Sequence, residues 1–235
     1  LPYGFLLPAL AITSFVIIYP VLQTGFLSVQ NYVLYAPDDS HFVGLAHFKA
    51  LFKDEVFWIS LGHSVWWVGG IVTLQLLLGL GAALLLNQSF WWRGLTRALV
   101  IVPWALPSVI IGLIWTWMYD YNVGVLNDLL LRIGLIDQPV AWLSNPKTSL
   151  PAIMLTLVWQ GFPFFAVTIL AGLQTISAEL YEAAEIDGAT RFQCLRFITL
   201  PAIADVIATA ATSVLVCFIF SLLSYLQSKP IRPRD

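Results

Sequence analysis

The chain has 235 residues, of which 59% are hydrophobic and 10% charged, where a soluble domain averages roughly 45–50% apolar and about 25% charged. That composition excludes a cytosolic globular protein, and the formal net charge of −2 excludes a nucleic-acid binder, which needs a basic face to offset phosphates. Cys194 and Cys217 lie far apart with no CxxC pairing, so neither a disulfide framework nor a zinc site is built from them.

Charge-free runs mark the membrane spans, because a charged side chain at mid-bilayer costs roughly 2.5–3.5 kcal/mol. Five such runs occur, at residues 1–37, 56–92, 98–119, 148–178 and 206–228, each exceeding the ~20 apolar residues a spanning helix needs. They predict an all-α fold, a polytopic transmembrane helical bundle forming a single domain over 1–235, with span cores at 4–28, 64–86, 98–119, 152–174 and 203–225. The first run is too long for a signal peptide and lacks a basic leading region.

Along the chain, the first outer loop (29–55) carries Asp38, Asp39, His41 and His47, whose loose spacing does not make a metal site. In the second span Gly79 and Ala83 form a small-xxx-small pair that permits close helix contact. The loop 88–97 holds Arg93 and Arg97 without an acid, which places it and the N-terminus in the cytoplasm and the loops 29–55 and 120–147 outside. The tail with Lys229, Arg232 and Arg234 then falls outside, against that rule. Trp66, Trp67, Trp91, Trp92, Trp117, Tyr119 and Trp142 cluster near span ends and read as an interfacial belt.

The fourth span contains Trp159-Gln160-Gly161-Phe162-Pro163-Phe164 near its middle. Gly with Pro predicts irregular backbone, tolerated at membrane depth only against protein or a watery cavity. Gln160 offers donors and acceptors for hydroxyls, and Phe164 a face for a sugar ring; Ser108, after Pro107 in the third span, is a weaker candidate for the same pathway. The other reading is a kinked packing helix whose Gln is satisfied by a neighbour.

The inner segment 177–200 is better organised than a connector requires. Ser177 is placed to cap a helix bearing Glu179, Glu182 and Glu185 near its positive dipole end, and Gly188 stops it. Thr190 with Gln193 forms a capping box opening a second short helix to about Thr199, before Pro201 begins the fifth span. Neither piece is stable alone in water, so each docks on something, or lies as an amphipathic helix in the membrane interface. Asp205, one turn into the fifth span, sits near a helix N-terminus and reads as structural.

The run Glu182-Ala183-Ala184-Glu185-Ile186-Asp187-Gly188-Ala189, closed by Ile198-Thr199-Leu200-Pro201, resembles the EAA signature of binding-protein-dependent ABC importer permeases. Tyr19-Pro20, Phe42-Val43-Gly44-Leu45, Pro103-Trp104 with Pro107, Gly112 with Trp115, and Trp142-Leu143 are similar, in order, to the carbohydrate-uptake subfamily, and 159–164 to its substrate-lining stretch. The resemblance implies a type I importer permease whose family core has six spans, set in a bacterial or archaeal inner membrane. Gln160, Gly161, Phe164 and Ser108 would touch a sugar, and Glu182, Ala183, Ala184, Asp187 and Gly188 would engage an ATPase subunit. Partners implied are nucleotide-binding ATPase subunits, a second homologous permease, an extracytoplasmic solute-binding protein, the carbohydrate and membrane lipid, with no nucleic acid.

None of Lys49, Lys53, Lys147 and Lys229 completes GxxxxGK[ST], so ATP is bound by the partner and the chain itself needs no cofactor and is no enzyme. After about residue 212 the pattern departs from the family, which reads as a truncated or altered C-terminus without the sixth span. A glycerol-phosphate permease would want cations near the pathway, and the spans hold no Lys or Arg. A lipid-linked glycosyltransferase would need clustered acids or a metal, for which only Asp38-Asp39 remotely qualifies.

Overall fold

The computed structural model describes residues 2–32 and 40–228, so Asp38, Asp39, Lys229, Arg232 and Arg234 lie outside the described residues. The chain clusters into two compact units, the larger being Trp66–Ser221.

The smaller unit opens with helix α1 (Pro2–Thr13), a π-helical stretch (Ser14–Ile18) and α2 (Tyr19–Ser28). Within this run Leu6–Ser28 is long and apolar enough to cross a membrane. The widened turn ends two residues before Pro20, whose ring displaces the carbonyl four residues back and which donates no N–H. A two-residue ladder, β1 (Gln30–Asn31) with β2 (His41–Phe42), is the only strand pairing among the described residues, joining Gln30 to Phe42 and Asn31 to His41. It closes the outer loop onto α3 (Ala46–Lys53). His47 joins this closure, its Nε2 lying 3.2 Å from the Gln30 carbonyl oxygen. The Asp54 carboxylate accepts the Val56 N–H at 2.9 Å and so caps α4 (Glu55–Asn87).

Within the larger unit α4 meets α8 (Ser149–Leu173). A Cβ built on Gly70 would stand 3.0 Å from Met154 Cε, and one on Gly79 would stand 2.5 Å from Phe165 Cβ and 3.0 Å from the Ala166 nitrogen. Advancing along α4 therefore advances along α8: the two helices run parallel, and the chain between them must return across the same depth. It returns through α5 (Arg93–Ala105) and α6 (Ser108–Met118). Val100 packs on the cluster holding Ile169 and Phe165, Trp104 lies beside Phe164, Trp115 beside Trp159, and the Tyr119 hydroxyl donates to the Ala152 carbonyl at 2.7 Å. From residue 169 back to 152 of α8 is about 25 Å at 1.5 Å per residue, so α5 and α6 together make one crossing.

That crossing is not the straight helix expected over 98–119. The two halves bend by 96°, because Pro107 disfavours helical backbone at the residue before it; Leu106 is extended at ψ 138° and Pro107 itself at ψ 136°. The opposite correction applies to α8, where the expected irregularity at Gly161–Pro163 is absent and the helix runs unbroken. Pro163 is fully buried, and the packing around it holds the helix across the one missing donor.

The remaining elements are α7 (Val125–Arg132) in the outer loop, then α9 (Ala178–Ile186), α10 (Arg191–Cys194), a second π-helical stretch (Leu195–Thr199), α11 (Leu200–Ala202) and α12 (Ala204–Ser228). Again the π-helical turn ends two residues before a proline, Pro201, and the chain bends by 59° into α12. Phe165, Ile169, Ile203, Ala83, Leu86 and Ala210 join α8, α4 and α12 in one buried cluster.

Of the expected aromatic belt, Trp66, Trp91, Trp92 and Trp117 are exposed as such a belt requires. Tyr119 and Trp142 are not: Tyr119 is buried, and the Trp142 indole donates to Asn127 Oδ1 at 2.9 Å, because each finds a fixed partner inside the protein.

Gly79→Ala drives a methyl into Phe165 and the α8 backbone, whereas Gly81 has nothing within 4 Å of an added Cβ. Overpacking of this kind costs about 1–3 kcal/mol. The thermal midpoint of the detergent-solubilised protein is expected to fall for Gly79→Ala and to stay put for Gly81→Ala.

Candidate functional site

Two features stand out, one at membrane depth and one at the end of the bundle. At membrane depth, the break before Pro107 ends one helix and starts another beside α8. Ser108 is the first residue of α6, and the Gln160 amide donates to its hydroxyl oxygen at 3.2 Å. As acceptor in that bond Ser108 keeps its own proton for a further partner. One turn along α8, half-buried Phe164 lies 6.3 Å from Trp104, the rings tilted by 46°. Gln160, Ser108 and Phe164 thus converge, and Trp104 joins them. The group combines an amide and a hydroxyl with two aromatic faces, the chemistry that suits a polyhydroxylated ring.

Gly161 does not belong to this face. It points to α4, where its missing side chain leaves room for the buried Gln75 amide, which donates to the Leu157 carbonyl at 2.9 Å. A Cβ at Gly161 would overlap that amide. Its role is to let a polar side chain lock α4 to α8, and the signal available in sequence was a Gln amid the apolar run of the second span, which sequence reasoning passed over.

At the end of the bundle, the expected caps of 177–200 form. The Ser177 hydroxyl accepts the Glu179 N–H at 3.3 Å. Gly188 at φ +78° closes α9 with a Schellman pair, its N–H on the Glu185 carbonyl at 3.1 Å and the Ala189 N–H on the Ala184 carbonyl at 2.9 Å. Gln193 Oε1 accepts the Thr190 N–H at 2.7 Å, and the Thr190 hydroxyl accepts the Gln193 N–H at 3.4 Å. Glu182, Ala183, Asp187 and Gly188 are exposed and Ala184 half-buried, so the motif presents an outward surface.

A tie that sequence reasoning missed holds the two short helices together: the Tyr181 hydroxyl lies 2.9 Å from Thr199 Oγ1, which in turn donates to the Cys194 carbonyl at 3.3 Å. A cleft of about 330 Å³ separates this segment from Asn87 and Gln88 at the end of α4 and Leu173 at the end of α8. The loop after α4 and the segment 177–200 therefore share one side of the bundle, in keeping with the orientation expected from Arg93 and Arg97.

On the other side, buried Asn127 organises the loop 120–142. Its amide nitrogen donates to the Val140 carbonyl at 3.1 Å and to the Asp120 and Tyr121 carbonyls at 3.3 and 3.4 Å, while its oxygen accepts from Val140 N–H at 3.1 Å and Trp142. The exposed Asp120 carboxylate accepts the Asn122 and Val123 N–H groups at 2.8 and 3.0 Å, which holds its carboxyl below the ordinary value of 3.8.

The family model for the binding-protein-dependent transport system inner membrane component matches residues 75–227. The chain is 39% identical over 210 residues to the trehalose/maltose transport system permease protein MalF of Thermococcus litoralis, covering 89% of this chain and 70% of that protein. It is 36% identical over 223 residues to the sulfoquinovosyl glycerol transport system permease protein SmoG of Agrobacterium fabrum, covering 95% and 70%. Among solved structures, a bacterial ABC transporter involved in import of the acidic polysaccharide alginate superposes with TM-score 0.73 and 26% identity, over 91% of this chain and 71% of that one.

Replacing Asn127 by Ala leaves several buried partners unsatisfied, at about 1–3 kcal/mol each, and is expected to raise hydrogen exchange across 120–142 while leaving α9 protected. The Asp120 turn has its own pH signature. A carboxyl held below its unfolded value contributes fully above that value and loses its contribution as pH falls through the folded one. Protection at the Asn122 and Val123 amides should hold at neutral pH and be lost only on acidification past the ordinary carboxylate value, as pH falls through the lowered folded one; Asp120→Ala should abolish it at every pH.

Proposed function

Because the chain belongs to the family of binding-protein-dependent transport system inner membrane components, we propose that it is the permease subunit of an ATP-driven carbohydrate importer, supplying half of the translocation pathway. It is a transport component and not an enzyme. The work it does is a change of shape. Several relatives are named for the uptake of trehalose/maltose, diacetylchitobiose and maltodextrin, which supports a carbohydrate substrate. Within that class a neutral oligosaccharide fits best, since α8 carries no charged side chain and the groups converging on its middle are an amide, a hydroxyl and aromatic rings.

The observation that carries this reading is the meeting of Gln160 with Ser108 at the break between α5 and α6. Irregular backbone at membrane depth exposes polar groups that lipid cannot satisfy, so it belongs against protein or a water-filled path. In this reading Gln160 and Ser108 bind sugar hydroxyls in turn, and Phe164 with Trp104 covers the apolar face of the ring.

Energy enters from outside the chain. Glu182, Ala183, Ala184, Asp187 and Gly188 present the surface that engages a separate ATPase subunit, which binds ATP; the chain itself holds no cofactor. The small side chains of Ala183 and Ala184 let the helix backbone approach closely, and Gly188 at φ +78° turns the chain between the two short helices where a side chain is strained. A second homologous permease and an extracytoplasmic solute-binding protein complete the assembly; the similar alginate transporter was solved in complex with an alginate pentasaccharide-bound periplasmic protein.

Uptake of radiolabelled maltose, trehalose and a maltodextrin by the assembled importer tests the pathway. Gln160→Ala and Ser108→Ala are each expected to lower uptake about tenfold, the effect of losing one hydrogen bond to substrate, with the ATPase still co-purifying. Undiminished uptake in both variants sinks the assignment. Gly188→Asp and Glu182→Lys act at the other end: the ATPase should co-purify with the wild-type complex and be lost from these two.

A further inference from the structure

Arg93 and Arg97 are half-buried, each with its Nε turned inward and without a partner among the described residues. Both Nε atoms are buried without a hydrogen bond, and the one ion pair among the described residues joins Arg132 to Asp128 instead. A buried, unpaired guanidinium N–H is costly, so two of them one turn apart on the same helix face mark a place where an anion belongs.

Depth identifies the anion. Trp91 and Trp92, 90% and 59% exposed with rings 5.0 Å apart, immediately precede the pair, and exposed indoles of this kind settle at the headgroup level. Leu95, Leu99 and Val102 are all exposed and fall on one face of α5, the face that meets acyl chains. Arg93 and Arg97 lie on the opposite face, in line with Val100, which packs on the buried core. The two Nε atoms are therefore turned to the bundle side of α5, next to the exposed indoles that mark the headgroup level. Residues 88–97 contain no acid that could serve them. The first turn of α5 adds to the site: Trp92 at the N-cap gives no side-chain hydrogen bond, and Gly94 leaves open space beside the backbone.

We propose that Arg93 and Arg97 hold the headgroup phosphate of an anionic phospholipid of the cytoplasmic leaflet, lodged between the start of α5 and the helix bundle. Basic crevices between transmembrane helices on the cytoplasmic side suit this chemistry. The choice of leaflet rests on the orientation given by the ATPase-coupling segment, which lies on the same side as residues 87 and 88. The bound lipid wedges α5 at the end nearest that segment, so its presence supports the broken crossing that carries Ser108.

The experiment uses the assembled importer in detergent with phosphatidylglycerol and phosphatidylcholine as probes. Native mass spectrometry counts retained lipid, and a photoactivatable phosphatidylglycerol maps its position. Wild type should retain phosphatidylglycerol over phosphatidylcholine and crosslink within 88–99. R93Q/R97Q should weaken retention about thirtyfold, at about one elementary contact's worth per arginine, and R93K/R97K should restore much of it. Equal retention in R93Q/R97Q, crosslinks elsewhere, or loss of the ATPase or second permease from R93Q/R97Q with lipid retained would overturn the proposal, the last because a carboxylate of another subunit would then be the partner. ATPase co-purification on the same preparations reads the coupling assignment separately: its absence from wild type removes that assignment while the crosslink still reports on the lipid.

Discussion

Between two helices in lipid there is no water to expel, so α4 and α8 stay together only through contact, and contact exists because small residues let the backbones approach. Gly79 lies against Phe165 and Ala166, Ala83 is fully buried one turn further, and Gly172 meets Val206 of α12 in the same way. The Gln75 amide, seated in the gap at Gly161 on the Leu157 carbonyl, adds a direction to that contact. Dispersion alone would tolerate a slip of one turn; a buried amide with a single acceptor does not, since the slipped state leaves it unpaired in a medium without water. The register so fixed places Gln160 opposite the break in the crossing helix.

Pro20, Pro201, Pro163 and Pro107 have three different consequences, and each follows from what surrounds the missing N–H. Pro20 and Pro201 each follow a π-helical stretch by two residues, the widened turn absorbing the ring; the helix continues past Pro20, and after Pro201 it bends by 59° at Ile203. Pro163 stays within a regular helix because buried neighbours hold it on all sides. Pro107 alone breaks the chain, with Leu106 and Pro107 both extended. That break frees backbone at a depth where lipid offers no partner, and it is there that Ser108 and Gln160 meet. An irregularity with a cost of this kind persists where something polar uses it.

The parts of the fold legible in the sequence are those written in local chemistry. Ser177, Gly188, Thr190 and Gln193 act on neighbours three to five residues away, and their caps form where the pattern puts them. Span positions follow from charge spacing, although α4 begins at Glu55, well before residue 64, because nothing between Asp54 and Asn87 interrupts helix. What the sequence hides is long-range pairing. Gln75 with Leu157, Tyr181 with Thr199 and Asn127 with Trp142 join residues 82, 18 and 15 apart, and no periodicity announces such partners. Gly161 and Pro163 mislead for the same reason: read locally they spell a broken helix, while the tertiary packing assigns the first to Gln75 and buries the second. Pro107, without a neighbouring glycine, does break its helix, so the residue type sets the possibility and the neighbours decide it.

A displacement at the surface of α9 has a continuous mechanical route to membrane depth. Tyr181 ties α9 to Thr199, and Thr199 opens directly onto the bend at Ile203. Ile203 is fully buried in the cluster that also contains Leu173, Ile169 and Phe165, with Phe164 packed on its edge. Interiors packed to this degree compress little and move as blocks. Pulling on α9 must therefore either break the Tyr181 to Thr199 bond or carry α12 and α8 with it, and the second moves Phe164 and Gln160 relative to Ser108. The 3.2 Å bond between Gln160 and Ser108 joins two helices that such a motion slides past each other.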